Sequence, residues 1–191
     1  MLKQNQIEDI VYTKSILRPI VKNRLSEIFG TEFAELAIKN DIIVTGGCIS
    51  SLFLSENIND IDLYFKSDLV LKTMKDYITD KKMEFIKQMS TYSLRADDTA
   101  LCITPNAITM KNNLQFITLG TAHECRERFD FIHCMPWYDF AEDKLHISEA
   151  QYNSIKTKTL EINPKSEKIK PHRIQKYKDR GWSVQKMVDL V

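Results

Sequence analysis

Glycine and proline are scarce, five of each in 191 residues. That excludes a collagen-like or low-complexity chain. No apolar run approaches the roughly 20 residues that a membrane helix needs. The opening Met1-Leu2-Lys3-Gln4-Asn5-Gln6 is polar and lacks the apolar stretch of a secretory signal. The four cysteines, Cys48, Cys102, Cys125 and Cys134, form no Cys-x-x-Cys pair, so reduced thiols are expected. These absences point to a soluble protein with no membrane partner. Its expected place is cytoplasmic, meaning a host cytoplasm or a virion if the chain is viral.

Net charge is also small, at +1. Its distribution is uneven. From Lys156 onward there are ten Lys or Arg against four Asp or Glu, a balance of +6 that leaves −5 for residues 1–155. An acidic body with a basic tail suggests a tail that meets phosphates, or else a solvated lysine-rich face. The hydrophobic fraction of 43% is enough for one compact core with a small appendage. The expected division is a core over 1–147 and a basic helical extension over 148–191.

Apolar residues at three- and four-residue steps predict a helix over Ile7–Ile28, ended by Gly30, and a second from Thr31 through Ile38. Ile42-Ile43-Val44 reads as a buried strand that stops at Gly46-Gly47, and Cys48–Leu54 as a helix. Asp60–Phe65 alternates acidic and apolar residues and reads as a strand with two different faces. Asp68 caps a helix to about Thr79. Further strands are expected at Met83–Met89, Ala100–Thr104, Ala107–Met110, Leu114–Leu119 and Phe129–Cys134, with a hairpin turn at Lys111-Asn112-Asn113. Thr121 and Ser148 open helices, Asn163–Ser166 is a linker, and Pro171 starts a final helix broken at Gly181. The sum is an α/β (α+β) chain: a mixed sheet of four or five strands with helices on one side.

The chemistry concentrates between Ile42 and Phe65. A strand delivers Gly46-Gly47 to a helix start, where free N–H groups and the helix dipole favour an anion. Without a Cβ, the backbone there can approach a phosphate closely. Ser50 and Ser51 add hydroxyl donors. Asp60 and Asp62, two apart on a strand, project from one face while Ile61, Leu63 and Phe65 project to the other. Two carboxylates so near repel unless a cation sits between them, and oxygen ligands on a rigid strand suit Mg²⁺ or Mn²⁺. Each element alone has a plain reading, a tight turn or a solvated acidic face.

Together, Gly46-Gly47, a helix of about two turns and Asp60-Ile61-Asp62-Leu63 resemble the signature of the nucleotidyltransferase superfamily, which includes CCA-adding enzymes and polymerase β. The resemblance is close over Val44–Phe65 and loose to Asp130. It implies that Gly46 and Gly47 touch the phosphates of a nucleoside triphosphate and that Asp60 and Asp62 bind two metal ions. It also implies in-line attack of a hydroxyl on the α-phosphorus. Ser50 and Ser51 stand where CCA-adding enzymes carry Arg-Asp, so the CCA-adding reaction itself is not implied. A third carboxylate is expected on a neighbouring strand. Asp130, between Phe129 and Phe131, is the choice. Leu114–Leu119 offers only Gln115, and Asp139 is a further option.

In the last helix Arg173, Lys176, Tyr177 and Arg180 share one face. That stripe suits triphosphate contact, or stacking and backbone contact with single-stranded nucleic acid, RNA included. The tail Lys176-Tyr177-Lys178-Asp179-Arg180-Gly181-Trp182 resembles the Lys-Tyr-x-x-Arg-Gly-aromatic tail of some virus- and phage-encoded nucleotidyltransferase-like proteins. His123, Cys125, His133 and Cys134 match no common zinc spacing, and Trp137 and Trp182 read as core or hinge anchors.

The expected function is metal-dependent transfer of a nucleoside monophosphate from a triphosphate such as ATP to a hydroxyl on an RNA end, a protein or a small molecule. Asp60, Asp62 and Asp130 would be catalytic and hold metal. Gly46, Gly47, Ser50, Ser51, Arg173, Lys176 and Arg180 would bind the nucleotide. The rival is the same fold without catalysis, as a binding or virion structural module. A weaker third reading is a nucleic-acid-binding protein acting through its basic tail.

Overall fold

A computed structural model of the chain describes residues 3–40, 42–90, 102–104, 106–110, 112–166 and 169–184; of residues 81–90 and 102–103 only the backbone is described. The first element is α1 (Gln4–Lys39), whose Thr13, Leu17, Val21 and Leu25 form a buried stripe at four-residue steps. Gly30, at φ 83° and ψ 168°, interrupts its helical backbone. The two expected helices are therefore one rod with a glycine kink. Then come β1 (Ile42–Thr45), α2 (Gly47–Phe53), β2 (Ile61–Phe65) and α3 (Asp68–Ser90). Helix α3 runs through Met83–Met89, so the strand expected there is a helix. Its apolar residues fit a helical period as well as a short strand, an ambiguity that periodicity alone does not resolve.

The next elements are β3 (Cys102–Ile103), β4 (Ala107–Thr109) and β5 (Leu114–Ile117). Ala100, Leu101 and Lys111 lie outside the described residues. Helix α4 (Ala122–Glu127) has Thr121 as its cap, with Glu124 reaching back in a capping box. Phe129–Cys134 is not a strand. It holds one bridge, Phe131 to Ile162, and a 3-10 turn over Ile132–Cys134. Strands β6 (Trp137–Asp139) and β7 (Lys144–His146) follow, and neither is marked by alternation in the sequence. The chain closes with α5 (Glu149–Lys156), β8 (Thr159–Leu160), α6 (Pro171–Lys178) and β9 (Ser183–Val184).

One seven-stranded sheet has the order β3-β4-β5-β2-β1-β6-β7, and β8 and β9 form a separate pair. Strands β2 and β5 are parallel, and the other pairs of the large sheet are antiparallel, so the sheet is mixed. Seven strands exceed the four or five expected because β6 and β7 extend the edge beyond β1. Ile61, Leu63 and Phe65 face the main core with Ile42, Val44, Leu17, Val21 and Phe33. Ile43 and Tyr64 face the opposite side, where Ala122 and Cys125 of α4 cover them. Helices therefore pack on both faces, not one. Among the described residues no helix is long and apolar enough to cross a membrane.

The expected linker at Asn163 is a fastener. Buried Asn163 donates through Nδ2 to the carbonyls of Glu127 (3.0 Å) and Phe129 (2.8 Å), and its Oδ1 accepts from the Lys165 amide at 3.1 Å. It ties the C-terminal third to the stretch that carries Asp130. Asn163→Ala removes these bonds and leaves two carbonyls unpaired, a loss of about 1–3 kcal/mol. Thermal denaturation should show a clearly lower midpoint than the parent. An unchanged midpoint would mean that water replaces the side chain.

Candidate functional site

Strand β1 ends at Thr45, whose hydroxyl donates to Pro136 O at 2.7 Å, and the chain then turns at Gly46. Gly46 has φ 99° and ψ −160°, a conformation open essentially to glycine. A Cβ at this position would lie 3.4 Å from Asp62 Oδ2. The glycine turn and the Asp62 carboxylate are thus immediate neighbours, because Thr45 pairs with Asp62 across β1 and β2. No side chain caps the start of α2, and its first residues, Gly47 and Cys48, line the cavity beside it.

A cavity of about 200 Å³ opens here. Gly46, Gly47, Ser51, Asp60, Asp62 and Asp130 line it together with Arg173, Lys176 and Arg180. Residues up to 134 positions apart in the sequence therefore meet at one place. Ser50 is the exception. It is buried, its hydroxyl donates to His133 O at 2.6 Å, and it fastens α2 to the 3-10 turn without lining the cavity. Asp139, the other option for a third carboxylate, is also elsewhere. It is 1% exposed, paired with Lys66 Nζ at 2.5 Å and accepting from the Glu142 amide.

Asp62 carries the electrostatic tension of the site. Burial, and then the negative charge of Asp60, push its carboxyl up to about 7, against an opposing pull from Lys176. Among the described residues it accepts no hydrogen bond and makes no ion pair. Such a pair, one carboxylate exposed and one recessed, lacks the positive charge that a divalent cation would bring, so Asp60 and Asp62 fit a hard oxygen-seeking ion. They do not complete its shell. Among the described residues no three or more His, Cys, Asp or Glu side chains converge as a metal-binding group. Asp130 shares the cavity, but its Oδ2 pairs with Arg173 Nε at 2.9 Å. The residue in register beside Asp62 on β5 is Gln115.

Helix α6 forms the basic wall. None of its residues is fully buried, yet Ile174 and Tyr177 pack on Phe131, Leu160 and Trp182. Arg180 Nη2 donates to Glu56 Oε2 at 2.8 Å and to Ser51 Oγ at 3.2 Å. Lys158 meets the other oxygen of Glu56 at 2.6 Å. Both arginines expected to bind the nucleotide are therefore held by acids of the body. Lys176 makes no ion pair among the described residues and sends its field to Asp62. Tyr177 hydroxyl and Cys134 Sγ lie 3.2 Å apart. Burial pushes the Cys134 thiol up to about 11, which leaves it a poor nucleophile near neutral pH.

Cys134 and Asn59 also line the cavity, and so do Tyr64, Phe129 and Phe131. Sequence spacing does not single them out. Asn59 stands directly before Asp60, and the aromatic flanks of Asp130 are the one visible signal. His133 is buried against Phe131, Tyr177 and Trp182, and burial, with a smaller push from Arg180, holds it down to about 3. It is a neutral ring that supports α6 from below.

The raised carboxyl of Asp62 has a consequence for stability. Its folded value, about 7, lies above the ordinary 3.8. The folded state therefore binds the proton more tightly, and ionisation costs stability. The cost is absent below the ordinary value, grows between the two and is complete above the folded one. With divalent cations chelated, Asp62→Asn should melt several degrees above the parent at pH 8.5, and the advantage should vanish by pH 4. A variant that melts at or below the parent across this range would show that the carboxylate already has a counter-charge.

Comparison with known proteins follows the same lines. A match to the family described as "Gabija anti-defense 2 family protein" runs over residues 15–158. The protein named "Gabija anti-defense 2" of Bacillus phage SPbetaL7 is 26% identical over 170 residues, covering 86% of this chain and 40% of that protein. The Thermotoga maritima CCA-adding enzyme, solved in complex with tRNA, superposes with a TM-score of 0.52 at 15% identity over 87% of this chain and 42% of that one. An apo tRNA-processing enzyme gives 0.52 at 14% identity, covering 97% and 45%. A tRNA-processing enzyme solved with CTP gives 0.50 at 15% identity, covering 87% and 43%. The chain thus spans less than half the length of each of these relatives, and its fold is that of the nucleotidyltransferases. On the family match, which covers most of its length, the chain belongs to the Gabija anti-defense 2 family.

Proposed function

We propose that this chain is a metal-dependent nucleotidyltransferase that serves a phage as an anti-defense protein, moving a nucleoside monophosphate from a triphosphate to a hydroxyl acceptor. One observation carries the reading. The recessed Asp62 lies against the Gly46 turn, in a cavity that Asp60 and the basic face of α6 complete. An uncapped helix start, a glycine that lets phosphate approach and two acids at the same opening make a seat suited to a charged phosphate chain with its cation. The fold supports it too, since a tRNA-processing enzyme with this fold was solved with CTP. The anti-defense role rests on the family and its phage relative.

Gly46 and Gly47 would admit the phosphates, with Ser51 beside them. Mg²⁺ or Mn²⁺ on Asp60 and Asp62 would neutralise the acid pair and stabilise the pyrophosphate leaving group. Lys176, which makes no ion pair among the described residues, would reach the phosphates first. Arg173 would exchange Asp130 for phosphate, which would free the Asp130 carboxylate to join the acid pair as a third ligand. Arg180, doubly held by Glu56 and Ser51, would position Ser51 and α6. Host RNA is one partner consistent with the basic face, and a host cytoplasm is the setting that follows.

The second reading, the same fold binding nucleotide without transferring it, draws on a specific observation. Gln115 stands beside Asp62 on β5, and Asp130 is neutralised by Arg173. The two readings separate in one experiment. The protein is incubated with each labelled nucleoside triphosphate and Mg²⁺, with and without RNA, and pyrophosphate is measured. Release that falls at least about 100-fold in Asp60→Asn and in Asp62→Asn supports transfer. Triphosphate binding without pyrophosphate release supports the binding module, and no binding overturns both.

A further prediction concerns α6. Lys176→Gln should weaken triphosphate binding about tenfold with little change in melting temperature, because its ammonium makes no ion pair among the described residues and acts on Asp62 only through its field. Arg180→Gln should lower the melting temperature as well. Calorimetry and thermal denaturation on the same samples check this, and a Lys176 variant that binds as the parent does would remove Lys176 from the site.

A further inference from the structure

A second cavity, of about 230 Å³, adjoins the first and shares Tyr64, Phe129 and Arg173 with it. Its place follows from the sheet. Asp62 stands beside Gln115, which stands beside Thr109, so these three form a polar row across β2, β5 and β4. Two residues further along, Tyr64, Ile117 and Ala107 form a parallel row on the same face. That second row floors the second cavity, with Leu119 at its rim and Cys125 of α4 and Phe129 above. Tyr64 and Phe129 meet edge to face with ring centroids 6.2 Å apart, giving the cavity a ring-lined wall. Leu119 is 51% exposed, an apolar side chain at the opening.

Asn106 and Arg128 also line this cavity, beside the shared Arg173, which is held by Asp130. Arg128 makes no ion pair among the described residues. Flat apolar and aromatic walls, one amide and one unpaired guanidinium match a planar heterocycle bearing an anion. The strand order puts the glycine turn at the end of β1 and this cavity over β5 and β4, on opposite sides of β2, which carries Asp62. An in-line displacement needs that separation, because the attacking oxygen and the leaving pyrophosphate lie on opposite sides of the phosphorus.

We propose that this second cavity binds a nucleotide, its base against Tyr64, Phe129 and Ile117 and its phosphate at Arg128, and that this nucleotide presents the accepting hydroxyl. The proposal rests on the transfer reading above. In the step, the acceptor oxygen bonds to the α-phosphorus of the triphosphate, and the bond from that phosphorus to its bridging oxygen breaks. The electron pair leaves with pyrophosphate, and the hydroxyl proton passes to water. The same chemistry is offered by a free nucleoside monophosphate and by the terminal nucleotide of a strand.

The test uses calorimetry on the full chain with Mg²⁺ and three probes: tripolyphosphate, a nucleoside monophosphate, and a short single-stranded oligonucleotide. Tripolyphosphate has no base to place against Tyr64 and Phe129 and tests the first cavity's phosphate seat, so the failure of that reading is seen separately from the failure of this one. Binding of the monophosphate or the oligonucleotide alongside saturating tripolyphosphate is the expected result, and the tighter of the two identifies the source. Ala107→Phe fills the second cavity, and Arg128→Glu reverses its charge from a partly exposed position that does not threaten folding. Each should weaken the second probe by about tenfold or more while tripolyphosphate binds as to the parent. The proposal is overturned if neither nucleotide probe binds beside tripolyphosphate, if tripolyphosphate competes with them, or if Arg128→Glu leaves their affinity unchanged.

Discussion

A carboxylate with no ion-pair partner among the described residues, recessed beside a glycine turn, sets the terms for everything around it. Asp62 sits where Thr45 and Gln115 flank it across the sheet and where Gly46 leaves no Cβ between backbone and carboxylate. Burial and the charge of Asp60 act on it in the same direction. A carboxylate perturbed in this way inside a cavity marks a candidate functional site. The basic face of α6 answers the charge from across the cavity without cancelling it, because Lys176 acts on Asp62 through its field and not through an ion pair.

The sequence was most legible where local chemistry decides the structure. The strand, Gly-Gly, helix, strand order of Ile42–Phe65 is written in β-branched residues, in two glycines and in an alternation that puts Ile61, Leu63 and Phe65 inward. Arg173 and Lys176 lie on α6 as helical spacing predicts, whereas Arg180 lies in the turn just past its end, and all three line the cavity. The seven-stranded width was not. Strands β6 and β7 are three residues each, too short for a periodic signal, and their pairing to β1 is decided by long-range packing. Met83–Met89 went the other way, because a short apolar run fits either period.

Individual side-chain assignments depended on contacts that spacing does not carry. Ser50 and Ser51 are adjacent on one short helix, so one hydroxyl meets a backbone carbonyl in the core and the other meets Arg180 at the cavity. Nothing in the sequence distinguishes them, because the difference comes from which way the 3-10 turn at Ile132–Cys134 approaches. Asp130 was expected on a strand. It lies instead on a non-repetitive stretch whose position is fixed from outside, by the amide of Asn163 bonding its carbonyl and by Arg173.

The division of labour among the basic residues of α6 and the turn after it follows from these fixed points. A helix with no fully buried residue needs anchors, and an aromatic cluster supplies the apolar one through Ile174 and Tyr177. Arg180 on Glu56 and Arg173 on Asp130 supply the polar ones, one at each end of the cavity-facing stripe. Guanidinium groups suit this, since their planar forks hold a carboxylate in a defined geometry. Lys176 lies between them in sequence and lines the same cavity, and among the described residues its ammonium makes no ion pair while its field reaches Asp62. The stripe that reads as three equivalent phosphate contacts is thus two clamps and one free charge. Of the two clamps, only the one on Asp130 ties up a carboxylate of the same cavity, and exchanging it would change the charge of the site by a full acid group.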